Sequence, residues 1–117
     1  MEYPVEQIEE LKRYCSAVRG LGEGNAVYLY LEALRLPAGC EPSECNALLR
    51  PFAGADGYPS QLYFSVQIRA PYGKNWNVLN ARICEKNWFA FSWKASAAPR
   101  SPLEALLNHL AALTQPR

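Results

Sequence analysis

With 117 residues, half of them hydrophobic, a fifth charged and a formal net charge of +1, the chain has the size of one domain and apolar content to bury a core without disulfide staples. That balance carries none of the basic excess of a nucleic-acid-binding domain, and no apolar run approaches the roughly 18 residues of a membrane span. Met1-Glu2-Tyr3-Pro4 lacks the basic-then-apolar pattern of a secretory leader, so the expectation is a single cytoplasmic domain over residues 1–117.

Val5, Ile8, Leu11, Cys15 and Val18 recur at spacings of three and four, which predicts an amphipathic helix ended by Gly20-Leu21-Gly22-Glu23-Gly24-Asn25. Glu6, Glu9, Glu10, Lys12 and Arg13 take the other face, acids before bases, as the helix dipole prefers. Cys15 falls on the apolar face and reads as a core residue. From Ala26 to Leu36 the period changes to two: Val27, Leu29, Leu31 and Ala33 alternate with Tyr28, Tyr30, Glu32 and Leu34, the pattern of a strand. A turn-rich link through Pro37-Ala38-Gly39 and Glu41-Pro42-Ser43 leads to a second strand at 46–52. After the turn at 54–60, Leu62, Phe64, Val66 and Ile68 oppose Tyr63, Ser65 and Gln67 in a third strand. Short turns between successive strands make an antiparallel meander the natural arrangement.

Residues 69–82 show no steady period and contain Pro71, Gly73 and three Asn residues, which reads as a long loop of the kind that carries function. Ile83-Cys84 follows, and then Phe89, Phe91 and Trp93 alternate as a short buried segment. Ala95 to Arg100 reads as a linker. Ser101-Pro102-Leu103-Glu104 announces the last helix, with an N-cap Ser, Pro at the first helical position and Glu three residues after the cap. Leu103, Leu106, Leu107, Leu110 and Leu113 mark its apolar face, and His109 reads as a residue of the polar face.

Four cysteines in a reducing compartment are expected to be free thiols. Cys40 and Cys45 have four residues between them, but a zinc site needs further ligands, so neither a metal nor a cofactor is expected. Cys84 has two readings. It is either a reactive thiol, with Lys74, Arg82 and Lys86 near it in sequence to favour the thiolate, or a small buried hydrophobe after Ile83.

Several short motifs bear on that choice. Gly57-Tyr58-Pro59 ahead of Leu62-Tyr63-Phe64 resembles the tyrosine-proline turn of the ubiquitin-conjugating (UBC) superfamily. Tyr72-Gly73-Lys74-Asn75 stands where that family has Tyr-His-Pro-Asn, Ile83-Cys84 is similar to its Ile-Cys, and Trp93 to the tryptophan that follows. The stretch 101–113 resembles the helix after its active site. The chain departs from the family in having Gly73 and Lys74 for His-Pro and one helix after the cysteine where eukaryotic members have three, and it thus resembles short, divergent bacterial members from operons associated with phage defence.

What the resemblance implies is an α+β UBC-like fold: an N-terminal helix, an antiparallel meander, an active-site loop and a C-terminal helix. Cys84 would carry the C-terminal acyl group of a ubiquitin-like protein as a thioester and pass it to an amine of a protein substrate. Asn75 would donate to the oxyanion or hold the loop, with Asn77 as the alternative donor and Tyr72, Trp88 and Trp93 packing beneath. Glu6, Glu9, Lys12 and Arg13 would face the activating enzyme, or simply water. The rival expectation is a protein-binding adaptor without chemistry, an inactive UBC variant or an RWD-like domain.

Overall fold

The computed structural model describes residues 4–23, 26–53, 58–71, 78–83, 86–91 and 99–115. The elements are α1 (Val5–Leu11), β1 (Ala17–Glu23), β2 (Ala26–Arg35), β3 (Glu44–Arg50), β4 (Gln61–Phe64), β5 (Val78–Ile83), β6 (Lys86–Ala90) and α2 (Pro102–Leu113). This is a small α+β protein whose sheet runs β1-β2-β3-β4-β6-β5, each neighbouring pair antiparallel. The three-strand meander expected from the short turns corresponds to β2, β3 and β4, and β1 adds a fourth strand at its edge. Among the described residues, no helix is long and apolar enough to cross a membrane.

The first helix is shorter than its periodicity predicts. After Leu11 the chain tightens, with the N–H groups of Lys12, Arg13 and Tyr14 donating to the carbonyls three residues back. The Cys15 thiol donates to the Leu11 carbonyl at 3.3 Å. Cys15 is a core residue as expected, though it lies beyond the helix. Val18 belongs to β1, and the glycine-rich run read as a helix breaker is most of that strand: Ala17 to Glu23 pairs residue for residue with Glu32 to Ala26. Seven consecutive pairings across a hairpin outweigh a helical spacing that Cys15 and Val18 would have extended.

In β2, Leu29, Leu31 and Leu34 face the same core, where strict alternation would place Ala33. The reason is a bulge between Leu31 and Leu34, with Ala33 in the left-handed region at φ 53° and its N–H donating to Asn46 Oδ1 at 3.0 Å. Strand β4 is four residues long and stops at Phe64, so Val66 is exposed where the alternation predicts burial. Ile68 still reaches the core, because Glu41 and Arg69 exchange two backbone hydrogen bonds of 2.9 and 2.8 Å. Gly39 sits beside this bridge at φ 93°, where a Cβ would meet Pro71 Cγ at 2.8 Å. The stretch 69–82 is not wholly loop, since β5 begins at Val78.

Two apolar clusters lie on opposite faces of the sheet. On one face, Leu29, Leu31, Leu49, Leu62 and Phe64 pack under α1 and α2, which contribute Leu11, Leu106, Leu110 and Leu113. On the other, Tyr30, Leu48 and Tyr63 pack with Ile83, Trp88 and Ala90. The Trp88 ring meets the Tyr30 ring edge-on, with centroids 6.0 Å apart, although β3 and β4 lie between their strands. Strands spaced about 4.8 Å apart would separate β2 from β6 by about 14 Å in a flat sheet. The sheet therefore twists strongly, and the β5–β6 hairpin closes over the face opposite α1 and α2. Trp88, rather than Phe89, is the inward residue of β6, and Phe91 stacks on Phe64 at 6.3 Å in the helix-side core.

Helix α2 follows its sequence signals at the start: Ser101 Oγ accepts from the Glu104 N–H at 3.1 Å, and Pro102 occupies the first turn. Its buried stripe differs from the leucine count. Leu107 is 39 % exposed, whereas His109 is 1 % exposed and contradicts its polar-face assignment. Positions 106, 109, 110 and 113 share one face of a helix, and 107 does not. Ser101→Ala is expected to cost about 1 kcal/mol. Phe64→Ala, which empties the stack against Phe91, is expected to cost about 3–5 kcal/mol. Urea unfolding of the two variants beside the parent checks both, and a Phe64→Ala loss below that of Ser101→Ala would contradict this account of the core.

Candidate functional site

The sequence directs attention to the segment around Cys84. Cys84 itself, Asn75, Asn77, Tyr72 and Trp93 lie outside the described residues, as does Lys74. What is described is the pair of strands on either side of Cys84. Ile83 ends β5, Lys86 begins β6, and the two are register partners, as are Arg82 and Asn87. The segment leading to the cysteine is therefore a paired strand where an irregular loop was expected.

Ile83 and Trp88 hold this hairpin from within. Ile83 is buried in the second core, and its carbonyl accepts the Trp88 indole N–H at 3.1 Å. Trp88 is 2 % exposed, so the bond is sheltered from water, and its ring rests against Tyr30. The expectation that Trp88 is a packing residue holds. Above Tyr30 stand two cations: Arg19 Cζ lies 4.9 Å and Lys86 Nζ 5.9 Å from the ring centroid. Both are exposed, and Arg19 is the direct cross-strand partner of Tyr30. The hairpin thus brings a second basic residue, Arg19 of β1, to the side of the sheet where Lys86 lies. Lys86 is a neighbour of Cys84 along the chain; Arg19 is some sixty-five positions away from it, and no local pattern points to that meeting.

The other thiols show what an unreactive cysteine looks like in this fold. Burial raises the pKa of Cys15, partly offset by a backbone hydrogen bond from Ala17 and by Arg35 and Lys12. Burial alone raises Cys40. Cys45 is pushed up to about 11 by burial, against the opposing effect of hydrogen bonds from Ser65. All three are free. Among the described residues, no group of three or more His, Cys, Asp or Glu side chains is arranged to hold a metal ion.

The N-terminal surface offered for an activating enzyme is accessible: Glu6, Glu9, Lys12 and Arg13 are exposed. Lys12 and Glu9 form an ion pair of 2.9 Å. The Arg13 carbonyl accepts a hydrogen bond from the Arg35 guanidinium, which ties this corner to the end of β2.

A buried polar group at the other end of the sheet was not anticipated. Arg50 is 5 % exposed; its Nε donates to the Phe52 carbonyl and its Nη2 to the Tyr58 carbonyl, each at 3.0 Å. Ser60 Oγ lies 2.9 Å from His109 Nε2. These contacts fix both ends of the connection between β3 and β4. An arginine following Leu48-Leu49 inside a strand was the available signal, because a charge in an apolar run needs buried partners.

Comparison with known protein families, curated proteins and solved structures finds no match to this chain.

Two outcomes are expected. Trp88→Phe keeps an aromatic ring but leaves the Ile83 carbonyl without its donor, at a cost of about 1–3 kcal/mol in denaturant unfolding. At pH 8 Cys45 is a thiolate in only about one molecule in a thousand, so iodoacetamide should label it far more slowly than a free thiol. Site-resolved mass spectrometry reads that rate, which should rise about tenfold per pH unit; a rate already level at pH 8 would contradict the environment assigned to Cys45.

Proposed function

We propose that this chain is a UBC-like conjugating enzyme for a ubiquitin-like protein, with Cys84 as the thioester carrier. The observation that carries the reading is the anchoring of the flanks of Cys84. Ile83 is buried and its carbonyl is held by Trp88, while Lys86 sits over Tyr30 beside Arg19. A carrier cysteine must meet two large partners in turn, and fixed flanks lower the cost of orienting it. The order of helix, antiparallel meander, cysteine segment and capped helix is consistent with this reading, as are Gly57-Tyr58-Pro59 before β4 and Asn75 ahead of the cysteine.

In this mechanism the Cys84 thiolate attacks the carbonyl of the thioester on the activating enzyme, and that enzyme's thiolate leaves. An amine of the protein substrate then attacks the new thioester. Asn75, or Asn77 in its place, donates to the tetrahedral oxyanion; the attacking nitrogen gives up its proton to solvent, and the Cys84 thiolate leaves as the amide forms. The exposed Glu6, Glu9, Lys12 and Arg13 surface receives the activating enzyme. The protein works in a bacterial cytoplasm, in a conjugation system directed against phage.

One observation favours a second reading. The strand β5 and its pairing with β6 give the flanks of Cys84 a regular hairpin, which suits an adaptor that binds a partner and performs no chemistry. A charging reaction separates the two. The chain is incubated with a cognate activating enzyme, ATP and the ubiquitin-like protein, and run on gels with and without reductant. The expected result is a reducible adduct that Cys84→Ala abolishes and that changes at Cys15, Cys40 and Cys45 leave intact. Asn75→Ala should slow discharge to an amine by about a hundred- to a thousand-fold. Binding of the modifier or its activating enzyme without any adduct would establish the adaptor instead.

A further inference from the structure

His109 is the sole histidine of the chain, and the conjugation chemistry proposed above does not use it. It projects from α2 into the interior, 1 % exposed, on the stripe that also carries Leu106, Leu110 and Leu113. Its Nε2 lies 2.9 Å from the hydroxyl of Ser60, which is 2 % exposed and ends the connection between β3 and β4. The same connection is gripped at Phe52 and Tyr58 by Arg50, a buried cation. A single ring thus joins the last helix to a connection that a buried positive charge, Arg50 at the end of β3, already grips.

We propose that His109 is an acid-sensitive latch: its neutral ring holds α2 and the end of the 51–60 connection against the sheet, and its protonation releases α2. The burial that admits a neutral imidazole opposes an imidazolium, and Arg50 opposes it further. Among the described residues, the charge that bears on it is that of Arg50. β3 supplies Arg50, and the titratable side chain of β4, Tyr63, belongs to the opposite core. α1 turns Glu6 and Glu9 to the surface, with Glu10 half-buried, and on α2 itself Glu104 is engaged by Arg100 at the first turn. Asp56 of the connection lies outside the described residues.

These surroundings push the His109 pKa down from 6.5 to about 4, first through desolvation and then through Arg50, against the opposing effect of a hydrogen bond to the Ser60 backbone. Once released, the ring titrates near its ordinary value. The latch is therefore at full strength above about pH 6.5, weakens as pH falls toward 4, and weakens no further below that. Between pH 6.5 and 5 the released ring gains its charge while the docked ring stays neutral. Across that window the balance between docked and released α2 shifts by on the order of twenty-fold toward release.

The test uses the whole chain. NMR follows the His109 ring from pH 7 to 4, and amide exchange, corrected for its intrinsic pH dependence, gives protection factors for α2 and β3 at pH 7 and 5. The expected result is a ring that stays neutral in the docked protein down to about pH 5, with α2 protection falling about twenty-fold and β3 protection falling much less. In His109→Gln, which can still meet Ser60 but does not titrate, α2 protection should hold within about two-fold. A ring that titrates near pH 6.5 while α2 stays protected overturns the latch, as does an equal loss in His109→Gln. Equal losses in α2 and β3 overturn release of the helix as the response. Should His109→Gln fail to fold, the ring titration and the α2/β3 comparison in the parent chain still decide.

Discussion

The central strands β3 and β4 are buried on both faces, and the two helices can cover only one of them. Leu49, Leu62 and Phe64 face the helices; Leu48 and Tyr63 face away, yet Leu48 is fully buried and Tyr63 nearly so. Leaving that second face open would expose an aromatic and aliphatic surface that a small protein cannot spare. The β5–β6 hairpin answers the requirement by curling over it, and Trp88 reaches across β3 and β4 to Tyr30. Nearly everything distinctive in the chain follows from that closure.

One consequence concerns Cys84. Because Ile83 and Trp88 are components of a core, the hydrogen bond between them serves stability and the flanks of the cysteine together. The described cysteines, Cys15, Cys40 and Cys45, all have their pKa raised by burial, which makes them poor nucleophiles. The same closure brings Arg19 and Lys86 from distant strands to one tyrosine ring. Two cations on that side of the sheet would favour an acidic partner surface.

At the opposite end of the sheet, polar groups take over from apolar closure. Arg50 satisfies backbone carbonyls of the connection between β3 and β4, and His109 reaches Ser60 from α2. Buried polar contacts of this kind specify geometry more than they add stability, since each group gives up water to be there. They hold the stretch containing Tyr58-Pro59, one of the motifs behind the UBC resemblance, against the helix that follows the cysteine segment.

Local chemistry was enough to determine α2, because the Ser101 cap, Pro102 and Glu104 act within one turn and need nothing from the rest of the chain. It was enough for β2 and for the inward residues of β4, where a period of two meets a face that must be buried, and for Cys15 as a core residue. Only the tertiary structure decided where α1 stops, because the pairing of Ala17–Glu23 with β2 joins residues across a hairpin and overrides a helical spacing. It also decided the shift at Ala33, which depends on the Asn46 side chain from the neighbouring strand, and the existence of β5, which depends on β6. His109 shows the division most plainly: its helix is legible from sequence, but its burial rests on Ser60, forty-nine residues away. Local signals name elements, while burial and polar partners are set by what the fold brings alongside them.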